Sequence, residues 1–437
     1  MSETASREDR PANIYWLPPG LRPPGGMTVR QERVFLLVGV AALFAGYDMN
    51  VFGLAAQQIQ TSLSIPEDKI TITLSFIRLA TLVAVVLAWS ADLVGRRRLL
   101  LITIFGQAVA TLATGFVETY QQFVWCQVAT RIFGYAEEML CFVVIAEEVA
   151  AVARGWANGT LAAMNYLGAG IASAVFAAVT LLPYGWRSLY VIGAVPLFLV
   201  AYMRRRLPET KRFEVREQEV EKLSSRVAKA VDQTRRLAHE HPRRLAVILI
   251  AVGAFGFAIW PAEFLGPKYL QSGYGLTPLQ TTLLIIPGGF VAVVFNILAG
   301  KLSDRIGRRA VAFGACLLAM LGYGAFYSGL RLPYMEYTWI VGFLGFLTAD
   351  ALIAGLSAEL VPTAYRATVS GLRYLTGILT GAVSLALEGP LYDLFHAHGP
   401  ALIVLLLAMP IAMIALLQLP EPAGRSLEDI AVEADRV

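Results

Sequence analysis

The sequence predicts an all-α integral membrane protein: twelve transmembrane helices in two pseudo-symmetric six-helix bundles. Three observations carry that prediction. The composition is 57% hydrophobic and only 16% charged, with a positive mean hydropathy. Apolar runs of about twenty residues, enough to cross roughly 30 Å of hydrocarbon as helix, follow one another along the chain. Short charged phrases recur at one fixed offset. Such a composition lies outside the range of soluble domains and excludes a soluble enzyme.

The repeat is the most specific of the three. ADLVGRRR at 91–98 returns as SDRIGRRA at 303–310, so Asp92 maps to Asp304, Gly95 to Gly307 and Arg97 to Arg309, each 212 positions on. AEEVAAVARG (146–155) and AELVPTAYRA (358–367) keep the same offset, with Glu147 on Glu359 and Arg154 on Arg366. LPE at 207–209 recurs at 419–421. Three anchors on one offset make the chain two copies of one unit.

Apolar spans fall near 34–58, 70–90, 98–117, 122–148, 156–181 and 186–204 in the first copy. The second copy supplies six more near 245–269, 279–300, 310–330, 335–358, 367–389 and 399–418. Glycine and proline stand freely inside them, as in Ile286-Pro287-Gly288-Gly289, because neighbouring helices satisfy the freed backbone and small residues permit close packing. The bundles are expected over 34–206 and 245–419. A 207–244 linker joins them, and its surroundings (204–244) carry 13 basic and 7 acidic residues, which suits a solvated helix beside an anionic membrane face.

Of 36 lysines and arginines, only Lys69, Arg187, Lys268 and Arg331 fall in loops that face outward if the N-terminus is inside. Arg78, Arg131 and Arg373 lie within spans, and the rest occupy inward loops and tails. The positive-inside rule then places both termini in the cytoplasm and the protein in the plasma membrane. Residues 1–33, with PPGLRPPGG and several charges where a signal peptide needs an apolar core, read as a cytoplasmic tail, as do residues 420–437. Cys126, Cys141 and Cys316 fit neither a disulfide framework nor a zinc site. A nucleotide-binding Walker loop is absent, and no metal or cofactor is expected.

With these residues in view, the chain resembles the major facilitator superfamily of secondary transporters. The family's loop signature, roughly G-x-L-x-D-x-x-G-R-R, is matched by GKLSDRIGRR from Gly300 to Arg309, through Asp304, Gly307 and Arg308. The first copy, AWSADLVGRR, holds Asp92, Gly95, Arg96 and Arg97, with Ala88 in the place of the first glycine. Glu359-Leu-Val-Pro362-Thr-Ala-Tyr-Arg366 and the LPE endings resemble sugar porters and related metabolite:proton symporters. The resemblance covers about residues 34–430. It implies that Asp92, Arg96, Arg97, Glu147 and Arg154, with Asp304, Arg308, Arg309, Glu359 and Arg366, form cytoplasmic clusters that latch the two halves and release on reopening. Asp92 and Asp304 can pair with arginine or cap a helix N-terminus, and Glu147 with Arg154, and Glu359 with Arg366, supply further partners on the same membrane face; the plainer role of the arginines is to set orientation.

Substrate and coupling ions are expected at the midplane, where every ionisable residue is a candidate because it is costly. Asp48, Arg78, Arg131, Glu137, Glu138, Asp350 and Arg373 lie well inside spans. Asp48, Arg78 and Arg131 share a depth of about 13 Å from the outer ends, at about 1.5 Å per residue, which would let them meet. Arg131 and Glu138 share a helix face. The repeat maps Glu138 onto Asp350 and Asp48 onto Trp260, within IWPAE, which offers an aromatic wall and a helix break. The resemblance implies an aspartate in the first span with an arginine in the fourth as a proton site, here Asp48 and Arg131, while Gln127 stands where the family places that arginine. Arg373 is a candidate for an anionic group or a partner of Asp350, and Glu137 is a structural candidate.

Sugar porters carry glutamines in helices 5 and 7. Here the seventh span reads AVGAFGFAIWPAEF and the fifth offers Asn165. The expected function is therefore alternating-access secondary transport of a small organic solute. Proton-coupled symport of a metabolite such as an organic acid or sugar-like compound fits first. A proton-coupled drug efflux antiporter is the alternative, although the G-x-x-x-G-P phrase of that class is absent from GTLAAMNYLGAGIASA. A non-transporting membrane sensor comes third. The expected partners are a small molecule, protons and the lipid bilayer; the protein is expected to be a monomer and to bind no nucleic acid.

Overall fold

The computed structural model describes residues 22–91, 95–149, 151–205, 223–330, 332–362 and 365–422. Fourteen α-helices follow one another among them. In the first repeat these are α1 (Val29–Leu63), α2 (Glu67–Trp89), α3 (Arg96–Thr114), α4 (Tyr120–Glu148), α5 (Arg154–Phe176) and α6 (Trp186–Arg204). The linker holds α7 (Leu223–Glu240). The second repeat has α8 (Pro242–Ser272), α9 (Pro278–Ile306), α10 (Arg308–Tyr327), α11 (Thr338–Glu359), α12 (Arg366–Phe395), α13 (His398–Leu406) and α14 (Met409–Gln418).

Eleven spans are long and apolar enough to cross a membrane, with α13 and α14 counted as one of 21 residues. The twelfth is α4, which is 29 residues long and less apolar because Arg131, Glu137 and Glu138 interrupt its middle. The twelve predicted spans are therefore present. Two details differ. The last span turns at Leu407 and Ala408, just before Pro410, which has no N–H to give to a continuing helix. Conversely, α8 runs unbroken through Pro261 and Pro267, so the expected break beside Trp260 is absent. Apolar side chains such as Phe290, Ile297, Leu321 and Ile414 stand exposed, as lipid-facing positions do.

The contacts divide the chain into two compact units. The first comprises Met1–Ala55 and Ala80–Leu223, the second Ala56–Leu79 and Ser224–Val437. The end of α1 and the start of α2 thus belong with the second unit. In the first unit α1 and α5 meet backbone to backbone, since a Cβ on Gly168 would lie 1.8 Å from the Leu43 carbonyl oxygen and one on Gly46 2.0 Å from that of Asn165. In the second, α10 and α11 do the same at Gly322 and Gly345. Small residues at such crossings give van der Waals contact that lipid cannot replace. The linker helix α7 buries Leu237 in the core of the second unit, and Glu240 accepts a 2.5 Å hydrogen bond from Tyr365.

The doubled glycine has a backbone reason. Gly95 and Gly307 precede α3 and α10 with φ of 98° and 107° and ψ of 138° and 141°, a conformation that side chains disfavour. A Cβ on Gly307 would also come 2.8 Å from Glu421 Oε2, whereas one on Gly300 meets nothing within 4 Å. Gly307→Ala is expected to cost about 1–3 kcal/mol and to lower the thermal unfolding midpoint in detergent. Gly300→Ala, inside α9, is expected to leave it unchanged or raise it.

Candidate functional site

In the first unit the site starts at the beginning of α4. Thr119 and Gln122 form a capping box there, which fixes where the helix begins and places Arg131, Glu137 and Glu138 in its middle. Asp48 on α1 is 2% exposed. Its Oδ1 accepts from Thr111 Oγ1 at 2.9 Å and its Oδ2 from Gln107 Nε2 at 3.3 Å, both on α3. Arg131 donates to the Met49 carbonyl at 2.9 Å and touches the Met49 sulfur. It acts on Asp48 through its charge and makes no direct ion pair with it. Gln127, one turn earlier, donates to Thr114 at 3.3 Å. The Tyr190 hydroxyl is buried without a hydrogen-bond partner close enough to feel both Asp48 and Arg131. This is a carboxylate held mainly by neutral donors with a cation nearby, an arrangement suited to gaining and losing a proton.

Glu138 and Asn165, singled out separately in the sequence, line one cleft of about 110 Å³ together with Ala42, Cys141, Phe142 and Tyr166. Glu137 points elsewhere and pairs with Arg204 at the end of α6. Thr103 donates to its other oxygen at 2.6 Å, and Arg204 reaches the Leu37 carbonyl at 3.3 Å. Arg204 was invisible as a membrane charge because it ends its span. Its full burial makes it a brace among α1, α4 and α6.

In the second unit Asp350 on α11 pairs with Arg373 on α12 at 3.4 Å. Arg78, expected from its depth to meet Asp48 and Arg131, is placed here instead. Its guanidinium lies 3.8 Å over the Trp260 ring and donates to the Gly377 and Ile378 carbonyls at 3.2 and 3.3 Å. Trp260 packs edge-on to Phe346 at 5.8 Å. Gly381 leaves the room for this contact, since a Cβ there would meet Arg78 Nε at 2.7 Å and Trp260 Cδ1 at 2.8 Å. Arg373 and Arg78 both act on Asp350 through their charge, beside the aromatic rings of Trp260 and Phe346. The sequence signal for Arg78 was a membrane arginine without a counterpart in the repeat, and only the fold shows its partner.

The arginine-rich loops are built alike in both units. Arg96 pairs with Glu147 at 3.0 Å, and at the equivalent positions Arg308 pairs with Glu359. Arg97 donates to the Arg205 carbonyl at 2.6 Å, and Arg309 to that of Leu417 at 3.2 Å, again 212 positions on. Asp304 sits 3.7 Å from Arg308. Glu147 and Glu359 thus each meet a loop arginine of their own unit, and among the described residues Glu359 forms no ion pair with Arg366. Two nitrogens of Arg366 are buried without a hydrogen bond; Asp92 and the Arg154 side chain lie outside the described residues. Glu421, of the repeated LPE, accepts from the backbone N–H of Arg308 at 2.8 Å and of Arg309 at 3.0 Å, a carboxylate at a helix N-terminus. No group of histidine, cysteine and acidic residues fit for a metal occurs among the described residues.

The family model described as Major Facilitator Superfamily matches residues 38–385. A probable 4-methylmuconolactone transporter of Cupriavidus pinatubonensis is 28% identical over 377 residues, which cover 82% of this chain and 83% of that protein. The cis,cis-muconate transport protein of Acinetobacter baylyi is 24% identical over 366 residues, 81% and 86% of the two chains. Among solved structures, the inward open conformation of the xylose transporter XylE from E. coli superposes with a TM-score of 0.71 at 16% identity, over 92% of this chain and 99% of that one. That likeness shows a shared fold.

Proposed function

The chain belongs to the Major Facilitator Superfamily, and on that premise we propose that it carries a small unsaturated or aromatic organic acid across the plasma membrane by proton-coupled symport. It is a multi-pass membrane transporter and not an enzyme. The observation that carries the choice of an acid is the grouping of Arg78 over Trp260 with Arg373 beside Asp350. A guanidinium offers a planar pair of donors to a carboxylate, and Trp260 with Phe346 offers flat apolar surface to a conjugated chain or ring. Relatives named for muconolactone and muconate transport support the same class. Asp48 is the proposed proton site, Arg131 its modulating charge, and Glu138 with Asn165 a further part of the substrate path. Both termini are assigned to the cytoplasm on the positive-inside count.

The test is a thermal-shift screen of purified protein, since a ligand that binds only the folded state raises its apparent stability. Muconate and benzoate are expected to raise the unfolding temperature, and xylose to leave it unchanged. Arg373→Gln and Arg78→Gln are each expected to weaken the response by about tenfold or more in ligand concentration, the loss of a charge-assisted bond of about 1.5–3 kcal/mol. A shift with xylose and none with any carboxylate would contradict the reading.

A further inference from the structure

Four titratable side chains meet in the second unit, at the ends of their helices far from the arginine-rich loops. Glu67 begins α2, Lys268 lies near the end of α8, Glu388 lies late in α12, and His398 begins α13. Lys268, which the sequence placed in an outer loop, is 1% exposed, and Glu388 is 0% exposed. His398 Nδ1 lies 2.6 Å from Glu388 Oε1 and its Nε2 lies 3.0 Å from Glu67 Oε2. Lys268 Nζ contacts Glu67 Oε2 and lies 3.2 Å from His398 Nε2. The remaining oxygen of Glu388 is buried without a hydrogen-bond partner.

A neutral imidazole has one N–H and can donate to only one of these carboxylates. With Nδ1–H given to Glu388, a neutral ring leaves Nε2 as an acceptor facing Lys268, and Glu67 loses its bond to the ring. Protonation supplies the second N–H and balances two carboxylates with two cations. We propose that the Glu388–His398–Glu67 chain is a proton-binding site on the outer side of the membrane, separate from Asp48, and that its proton fastens residues 56–79 to the rest of the second unit.

The rest of that contact is not titratable over the same range. Ser75 donates to the Ala382 carbonyl at 2.6 Å, Gln58 to Gln271 at 2.6 Å, and Gly389 lets the Asp68 carbonyl oxygen approach, since a Cβ would lie 2.4 Å from it. The Tyr392 ring lies 4.5 Å from the His398 ring, with Asp68 and Asp393 acting on Tyr392 through their charge and Tyr327 facing Glu388. His398 is the group among these whose charge changes near neutral pH by its nature. α1 and α2 each run from one unit into the other, and within the second unit the fastening joins residues 56–79 to α8, α12 and α13. Acid outside therefore holds it closed, whatever the substrate.

The test needs no substrate. Ser75, 6% exposed under the fastening, is changed to Cys in protein whose natural cysteines are replaced, and the reconstituted protein is labelled from outside with an impermeant maleimide. Dividing each rate by the rate in a His398→Gln background cancels the thiol's own pH dependence. Between about pH 8 and about pH 5.5 the ratio is expected to fall about tenfold, as one pH unit of differential proton affinity produces. Glu388→Gln, which removes the buried carboxylate and keeps its shape, is expected to abolish the fall as well. Equal labelling in all backgrounds at both pH values, no labelling included, would overturn the site. The result is independent of which solute the protein carries.

Discussion

Glu137→Gln is expected to destabilise the protein by about 3–5 kcal/mol, because it leaves the guanidinium of Arg204 buried without its counter-charge. Both side chains are 1% exposed or less, so water cannot take the place of the carboxylate. The effect should show as a large drop in thermal unfolding midpoint in detergent and in the yield of folded protein. Replacing both partners by methionine is expected to recover most of the loss, since a well-packed apolar pair is often as stable as a buried ion pair. Thr103 keeps its bond to the Leu99 carbonyl at 2.9 Å in that variant. A double variant as unstable as the single one would show that the pair does more than brace α4 against α6.

Asp48→Asn is expected to abolish accumulation against a gradient while leaving exchange of solute across the membrane. The amide oxygen can still accept from Thr111 or Gln107, so the geometry of α1 against α3 survives, but the proton can no longer be taken up and released. One coupled proton supports about tenfold accumulation for each unit of imposed pH difference; the variant should equilibrate and stop. Counterflow and gradient-driven uptake, measured on the same proteoliposomes, separate the two. An Asp48→Asn protein that still accumulates solute would move the coupling site elsewhere, with Glu138 next in line.

The helices were legible because hydrocarbon admits only helix or closed barrel, and apolar length then marks each span. The same reading stopped short where helices continue past the hydrocarbon, as in α1 with 35 residues and α8 with 31. Lys268 was misplaced for that reason. The repeat located Arg96 with Arg308 and Arg97 with Arg309, and the structure repeats their contacts at the same offset. It could not say which arginine each glutamate meets, since Arg308 and Arg366 are alike in kind and only the fold brings Arg308 to Glu359. Depth alone suggested that Arg78 joins Asp48. Depth carries no information on which way a helix faces, and α2 turns Arg78 toward Trp260. The pairing of Glu138 with Asn165 in one cleft was likewise beyond the sequence, because it needs α1 and α5 to cross at Gly46 and Gly168.

Proton-driven carriage of an organic acid is the central claim, and uptake of radiolabelled muconate into proteoliposomes tests it most directly. With an acid exterior imposed, wild-type protein should accumulate label above equilibrium, a protonophore should collapse that accumulation, and Arg373→Gln should need a much higher muconate concentration for the same rate. Uptake indifferent to the pH gradient, or xylose carried where muconate and benzoate are not, would contradict the account.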